Sequence, residues 1–499
     1  MKRKIKIKSI KEISLPKKNF VYVDFFSESK IDKKQREWEN IGIKLSPDLL
    51  KKIKSDKSKK LKFNPAFNTG SKIVLIKFDE NKIDADFFRD SIASFVTDVD
   101  ESIDSIVVNY PCEGEFIQDK FRTQNYYEQT IIEGILLGNY TFDKYKSDKE
   151  KPSKLDVIIK FCDTKSSKKI ITKATKIIDA VTFTRDLVNE PANVLTPQEF
   201  ALRINREFKN TNVSVTIYNA KQIKKKNMNA LFSVGKASSN PPLLITLTYK
   251  PNKAKKKFAL VGKGVMYDSG GLSLKPTPSM VDMKADMAGA ATVAGIIKAA
   301  ESLKLPVSLT AVLPVVENVI SGNAYKPGDI IHTASGKTIE IGNTDAEGRL
   351  ILADALEFAE KTNPDFIFDF ATLTGACLVA LGESYAGFFT DNDEIARAMI
   401  SSSELTSENI WRLPLPEKYQ ELLKSELADI SNIGSSRWGG AITAALFLKF
   451  FLSDKMKTNW AHFDIAGPAM KHNQASYTKK YATGFGVRLF LDYFEALGN

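Results

Sequence analysis

Val261-Gly-Lys-Gly-Val-Met-Tyr-Asp-Ser-Gly-Gly follows the apolar run 258–260, so Lys263 and Asp268 fall just past the carboxyl end of a predicted strand. Open α/β sheets bind their ligands at that edge. Glycines 262, 264, 270 and 271 permit tight turns and positive φ, letting the backbone close on whatever Asp268 holds. Taken alone, the stretch is as compatible with a structural bend as with a site.

Two further stretches tip the balance. In Met283-Lys-Ala-Asp-Met-Ala-Gly-Ala-Ala, Asp286 opens an alanine- and glycine-rich helix, either as its N-cap or as a ligand. In Asn343-Thr-Asp-Ala-Glu-Gly-Arg-Leu, Asp345, Glu347 and Arg349 crowd the start of a second helix, where first-turn acids also favour the helix dipole. Four carboxylates at one sheet edge repel one another and raise their own pKa values unless cations neutralise them, and two divalent ions would do so. His332, His462 and His472 are scattered and form no zinc-type pattern, so the site is oxygen-rich and suits Mn²⁺, Mg²⁺ or Zn²⁺.

Outward from these motifs, β-like runs at 214–218, 243–249, 258–262, 308–313 and 366–370 alternate with helical patterns at 287–303 and 347–362. That alternation predicts an α/β domain, a central mixed and mainly parallel sheet covered by helices on both faces, over 193–499. Upstream, Ile177, Val181 and Leu187 recur at roughly helical spacing until Asn189-Glu-Pro-Ala-Asn, giving a linker helix over 166–192. Residues 1–165 form a smaller, lysine-rich N-terminal α/β domain, with strands at 20–26 and 72–78, a polar loop or helix face at 51–60, and a helix near 126–140.

Length agrees with two domains, since 499 residues exceed one ordinary core. No run approaches the ~20 apolar residues of a membrane helix. The basic start Met1-Lys-Arg-Lys-Ile-Lys-Ile-Lys lacks the apolar centre of a secretory signal, so a soluble cytoplasmic protein without membrane partners is expected. Cys112, Cys162 and Cys377 are few, distant and odd in number; they predict neither a disulfide framework nor a metal site, and fit a reducing compartment. The net charge of +12 comes mostly from dispersed lysines, which favours simple solubility and leaves nucleic acid as a lesser alternative partner.

The three acidic motifs resemble those of the leucyl (cytosol) aminopeptidases, in order and with similar separations. Ala371-Thr-Leu-Thr-Gly-Ala, Arg437-Trp-Gly-Gly-Ala-Ile-Thr-Ala-Ala and His462-Phe-Asp-Ile-Ala-Gly extend the resemblance over roughly residues 170–499. It implies a metal-dependent enzyme that hydrolyses the N-terminal bond of peptides, preferring leucine-like and other apolar residues, through a hydroxide bridging two divalent ions. Lys263, Asp268 and Asp286 would hold one ion and Asp268, Asp345 and Glu347 the other. Lys275 would stabilise the oxyanion, and Arg349 would position a bicarbonate or a water as proton shuttle. Met283, Thr372, Gly375 and Ala466 would line the pocket for the first side chain, widened at Ala469, where the family often has a larger apolar residue. The N-terminal domain would support a homohexamer.

Three other readings compete: an additional architectural DNA-binding role, suggested by the basic charge; a two-metal phosphatase or nuclease; and a silent scaffold, which the intact ligand set opposes.

Overall fold

The computed structural model describes residues 3–55, 61–63, 71–148, 152–472, 477–478 and 481–498. Contacts divide the chain into one unit of Met1–Ile178 with Ala475–Lys479, and another of Asp179–Gln474 with Lys480–Asn499. The division falls inside a single 26-residue helix, Thr164–Asn189. No helix among the described residues is long and apolar enough to cross a membrane.

The first unit is built on a six-stranded sheet in the order Arg3–Ile10, Ser153–Lys160, Ser105–Asn109, Phe20–Ser27, Lys72–Phe78 and Leu61–Phe63. Its neighbours run parallel except the last pair. Phe20–Ser27, near the middle, is buried along its whole length, as a strand covered on both faces must be. The polar stretch expected at 51–60 begins inside the helix Pro47–Ser55, and residues 56–60 lie outside the described residues.

One expectation fails here. Cys112 and Cys162 are joined by a disulfide across a Cα–Cα distance of 5.4 Å. Strands Ser105–Asn109 and Ser153–Lys160 pair in parallel, so the segments just past their ends emerge side by side. Cys377 alone is free and buried. The argument from unpaired cysteines to a reducing compartment therefore loses its premise.

The second unit carries a nine-stranded mixed sheet. Its order is Ile410–Arg412, Ala386–Phe389, Trp460–Asp464, Phe366–Ala371, Lys257–Gly262, Ser308–Asn318, Leu243–Tyr249 and Val213–Tyr218, with Gly264–Asp268 against Ser308–Asn318. The central four run parallel, and Leu243–Tyr249 and Ala386–Phe389 flank them antiparallel. Strand alternation sends Ala259, Val261 and Ile367 into a core shared with the helix Glu347–Glu360. Phe258 and Phe368 point the other way, onto Phe490, Tyr493 and Phe494 of the helix Val487–Gly498. Helices thus cover both faces, as the alternating sequence pattern implied.

The helix Ala288–Leu303 packs almost backbone to backbone on this sheet. A Cβ at Gly289 would lie 2.1 Å from the Phe370 carbonyl, and one at Gly262 would lie 2.7 Å from Ala290 Cα. The small residues of both motifs are therefore a packing requirement as well as a turn device.

Candidate metal centre and active site

Three parallel strands end where the chemistry begins. Lys257–Gly262 leads into Lys263, Phe366–Ala371 into Thr372, and Trp460–Asp464 towards Ala466. The structure modifies one detail: the glycine-rich stretch after Lys263 is itself a short strand, Gly264–Asp268, so Asp268 closes a second strand instead of a loop. Its pairing with Ser308–Asn318 shifts register between Val265 and Asp268. Beyond it, Gly270 and Gly271 take positive φ of 86° and 64° to turn the chain back.

Neither Asp286 nor Asp345 caps a helix. Ala288–Leu303 has Met287 at its N-cap and Glu347–Glu360 has Ala346, neither with a capping side-chain bond. Both carboxylates are directed to lysines. Lys263 Nζ lies 2.8 Å from Asp286 Oδ1 and 2.9 Å from Glu347 Oε1, and donates to the Thr372 carbonyl at 2.9 Å. Lys275 Nζ lies 2.9 Å from Asp268 Oδ2 and 2.5 Å from Asp345 Oδ1. Glycine at 348 leaves room for this arrangement, since a Cβ there would stand 2.7 Å from Lys263 Nζ.

Asp268 is oriented by Gly270 N and Asn318 Nδ2, both donating to Oδ1 at 2.8 Å. Asp286 Oδ1 also accepts from Thr372 Oγ1 at 2.7 Å. Asp286 Oδ2 and Glu347 Oε2 are buried with no hydrogen-bond partner among the described residues. Ligand oxygens of Asp268, Asp286 and Glu347 can all lie within 4.8 Å of one another.

Burial, then the charge of Glu347, raises the pKa of Asp268. Burial also lifts Asp286 well above the carboxylate range and raises Asp345. Burial alone would lower Lys263, but Asp286, Glu347 and Asp268 together raise it. Lys275 behaves in the same way, with Asp268 foremost among the acids that offset burial. Four carboxylates therefore face two ammonium groups, with two bare oxygens left over. That donor set fits divalent cations: hard oxygens, an excess of negative charge, and a lysine amine that can ligate once it gives up its proton.

All eleven residues singled out from sequence line one cavity of about 510 Å³: Lys263, Asp268, Asp286, Asp345 and Glu347; Lys275 and Arg349; and Met283, Thr372, Gly375 and Ala466. Arg349 Nη1 donates to the Asn432 carbonyl at 2.8 Å, while Nε is buried and unpartnered among the described residues. Loss of hydration brings its guanidinium down to about 10.

Sequence reasoning missed several contributors. Asp464 takes bonds from Leu373 N, Thr374 Oγ1 and Ala466 N, fastening together the two loops that carry Thr372 and Ala466. It lies inside a quoted motif, yet nothing local revealed this role. Asn318 ends the strand Ser308–Asn318, a polar residue at a sheet's carboxyl edge that could have been flagged. Asp282, Glu383 and His472 also line the cavity, drawn from three separate segments.

The catalytic domain that defines the cytosol aminopeptidase family matches residues 182–491. The chain belongs to the cytosol aminopeptidase family. A probable cytosol aminopeptidase of Chlorobaculum tepidum is 40% identical over 95% of this chain and 96% of its own. Among solved structures, a tomato leucine aminopeptidase mutant superposes with a TM-score of 0.85 at 32% identity, covering 100% of this chain and 97% of that one. The bottromycin maturation enzyme BotP in complex with Mn gives 0.83 at 30% identity, covering 96% and 99%. As a family member, this protein is a metal-dependent aminopeptidase, a hydrolase that acts on peptides.

Proposed function

We propose that the enzyme releases N-terminal leucine-like and other apolar residues from peptides, using two divalent ions held by Lys263, Asp268 and Asp286 and by Asp268, Asp345 and Glu347. The observation that carries this reading is the pair of bare oxygens, Asp286 Oδ2 and Glu347 Oε2, in a cavity that Lys275 and Arg349 also line. Mn²⁺, Zn²⁺ and Mg²⁺ are the candidate ions. When bound, they supply Lewis acidity and an activated water.

The chain's own groups do the rest. Lys275, kept charged by its acidic neighbours, donates to the carbonyl oxygen as negative charge develops on it. Arg349 retains its charge near neutrality and has a donor to spare at Nε, enough to hold bicarbonate or a water that relays protons. Met283, Thr372, Gly375 and Ala466 receive the first side chain, and the small Ala469 widens that pocket.

Residues 1–165 are proposed as an oligomerisation or regulatory domain of a homohexamer, 166–192 as the linker, and 193–499 as the catalytic domain. A cytoplasmic location follows the name its relatives bear. Nucleic-acid binding, supported by the charge of +12, is the additional reading, and affinity falling steeply with salt is its signature.

The test is chromophore release from leucyl p-nitroanilide by metal-stripped protein, then with Mn²⁺, Zn²⁺ or Mg²⁺, beside Lys275→Ala. Metal-dependent cleavage, falling by about 10²–10³-fold in the variant, is expected. No cleavage across a panel of aminoacyl substrates refutes the reading.

A further inference from the structure

Two of the acidic motifs meet on one amide that belongs to neither. Asn318 ends the strand Ser308–Asn318 and is fully buried. Its Nδ2 donates to Asp268 Oδ1 at 2.8 Å and to the Thr344 carbonyl at 3.0 Å. Both targets are acceptors, so the amide can sit only with its nitrogen towards them, and both of its protons are used. Thr344 immediately precedes Asp345. One side chain therefore ties the carboxylate shared by both proposed ion sites to the backbone beside a ligand of only one of them.

The surroundings enforce this placement. Gly264–Asp268 runs parallel to Ser308–Asn318, paired at Val265 with Val316 and again at Asp268 with Asn318, so the first strand holds one residue more than its partner between those pairings. Side chains alternate across a strand, and without that bulge Asp268 would turn to the face away from Asn318. The Asn318 carbonyl accepts from Ser269 N at 3.0 Å and Ser269 Oγ at 2.9 Å. Thr344 Oγ1 donates to the Gly270 carbonyl at 2.7 Å and accepts from Ser273 N at 2.8 Å, while Tyr325 donates to the Thr344 carbonyl at 2.7 Å. Asn318 Oδ1, by contrast, is buried with no partner among the described residues. For the fold alone that bare acceptor is a cost, which an apolar side chain of similar shape would avoid. What the amide supplies in return is two donors aimed at the acidic loops.

We propose that Asn318 is a positioning residue of the metal centre, fixing the spacing between Asp268 and Asp345 and so setting the affinity for the ion that Asp268, Asp345 and Glu347 hold. The inference rests on the two-ion reading proposed for this enzyme. Asn318 acts through those ligands and not on the substrate. With Gly270 N and Asn318 Nδ2 both on Oδ1, Asp268 keeps Oδ2 for charged partners, and Lys275 Nζ lies 2.9 Å from it. Removing the amide frees this carboxylate to rotate and releases one tie on the turn that carries Asp345. That loosens the ion bound between them more than the ion that Lys263 and Asp286 also hold.

The experiment titrates Mn²⁺ into metal-stripped wild type, Asn318→Leu and Asp345→Asn, reading free Mn²⁺ by its electron paramagnetic resonance signal and the Tm of each metal-free protein alongside. In Asn318→Leu, which keeps the shape and removes both donors, the binding step that Asp345→Asn weakens has its Kd raised by about 10–100-fold, and the other step moves less. The metal-free Tm changes by no more than about 4 °C. Leucyl p-nitroanilide cleavage by Asn318→Leu falls at limiting Mn²⁺ and recovers as Mn²⁺ is raised, which damage to the fold would not allow. Asn318→Ala repeats the test if leucine does not fit. Wild-type binding of both ions in Asn318→Leu overturns the proposal, as does equal weakening of the two steps or the failure of both variants to fold without metal. Wild type that binds no Mn²⁺ removes the two-ion reading itself, and the proposal with it.

Discussion

In the N-terminal unit Glu133 has both carboxylate oxygens taken, Oε2 by Arg89 Nε at 2.9 Å and Oε1 by Gln129 Nε2 at 2.8 Å. In the catalytic unit Asp286 and Glu347 each have one oxygen paired and one bare. Asp24 repeats the first pattern, with Lys34 at Oδ1 and with Tyr22 and Trp38 at Oδ2. All four residues are almost wholly buried, so depth does not separate them. What separates them is whether the protein closes the coordination shell itself. A closed shell serves the fold, and an open one in a cavity is held ready for something that arrives later.

The largest effect that can break this contrast is on activity. Glu347→Gln is expected to lower kcat/KM by more than about 10²-fold. It should alter the stability of metal-free protein by under about 1 kcal/mol, because it relieves repulsion while weakening the bond to Lys263. Glu133→Ala removes one of the two carboxylates paired with the buried Arg89, leaving Asp86, and is expected to cost about 3 kcal/mol in urea denaturation. Similar stability losses in both variants would erase the distinction.

Metal addition gives the next largest shift. Mn²⁺ at about 100 times its Kd should stabilise the wild type by about 2.7 kcal/mol, read as a rise in Tm, and Glu347→Gln should lose most of it. An equal rise in the variant would mean the ion binds elsewhere.

Asp354 sharpens the rule from a third direction. Both its oxygens are occupied, by Leu231 N and Ala334 N, but by no cation among the described residues, and burial holds its pKa at about 7. The folded state thus binds this proton more tightly than the unfolded chain does. Its contribution is complete below about pH 4 and is lost as pH rises through 7, an upper bound of about 4 kcal/mol. Asp354→Asn should flatten the stability profile of metal-free protein across that window, and a slope identical to the wild type would show the carboxyl to be ionised throughout.

Much of this was legible in the sequence because it was local. The strands at 243–249 and 366–370 announced themselves as apolar runs, and the acidic motifs sit at strand ends and helix starts that flanking residues define. The failures were non-local. The strand Arg3–Ile10 alternates lysine and isoleucine, a period-two pattern overshadowed by its basic charge, and its partner lies at Ser153–Lys160. Asp464 was visible as a letter, but its bonds to Leu373 and Thr374 depend on the parallel register of Trp460–Asp464 against Phe366–Ala371. His472 looked isolated because its partners, Asp282 and Glu383, lie 190 and 89 residues away.

The bond between Cys112 and Cys162 turns the segment between them into a covalent ring spanning a sequence separation of 50. A protease that cuts once inside that ring opens the loop without dividing the molecule. The nicked chain still migrates as one species in a denaturing gel, and it falls into two bands only when a thiol is added to the sample.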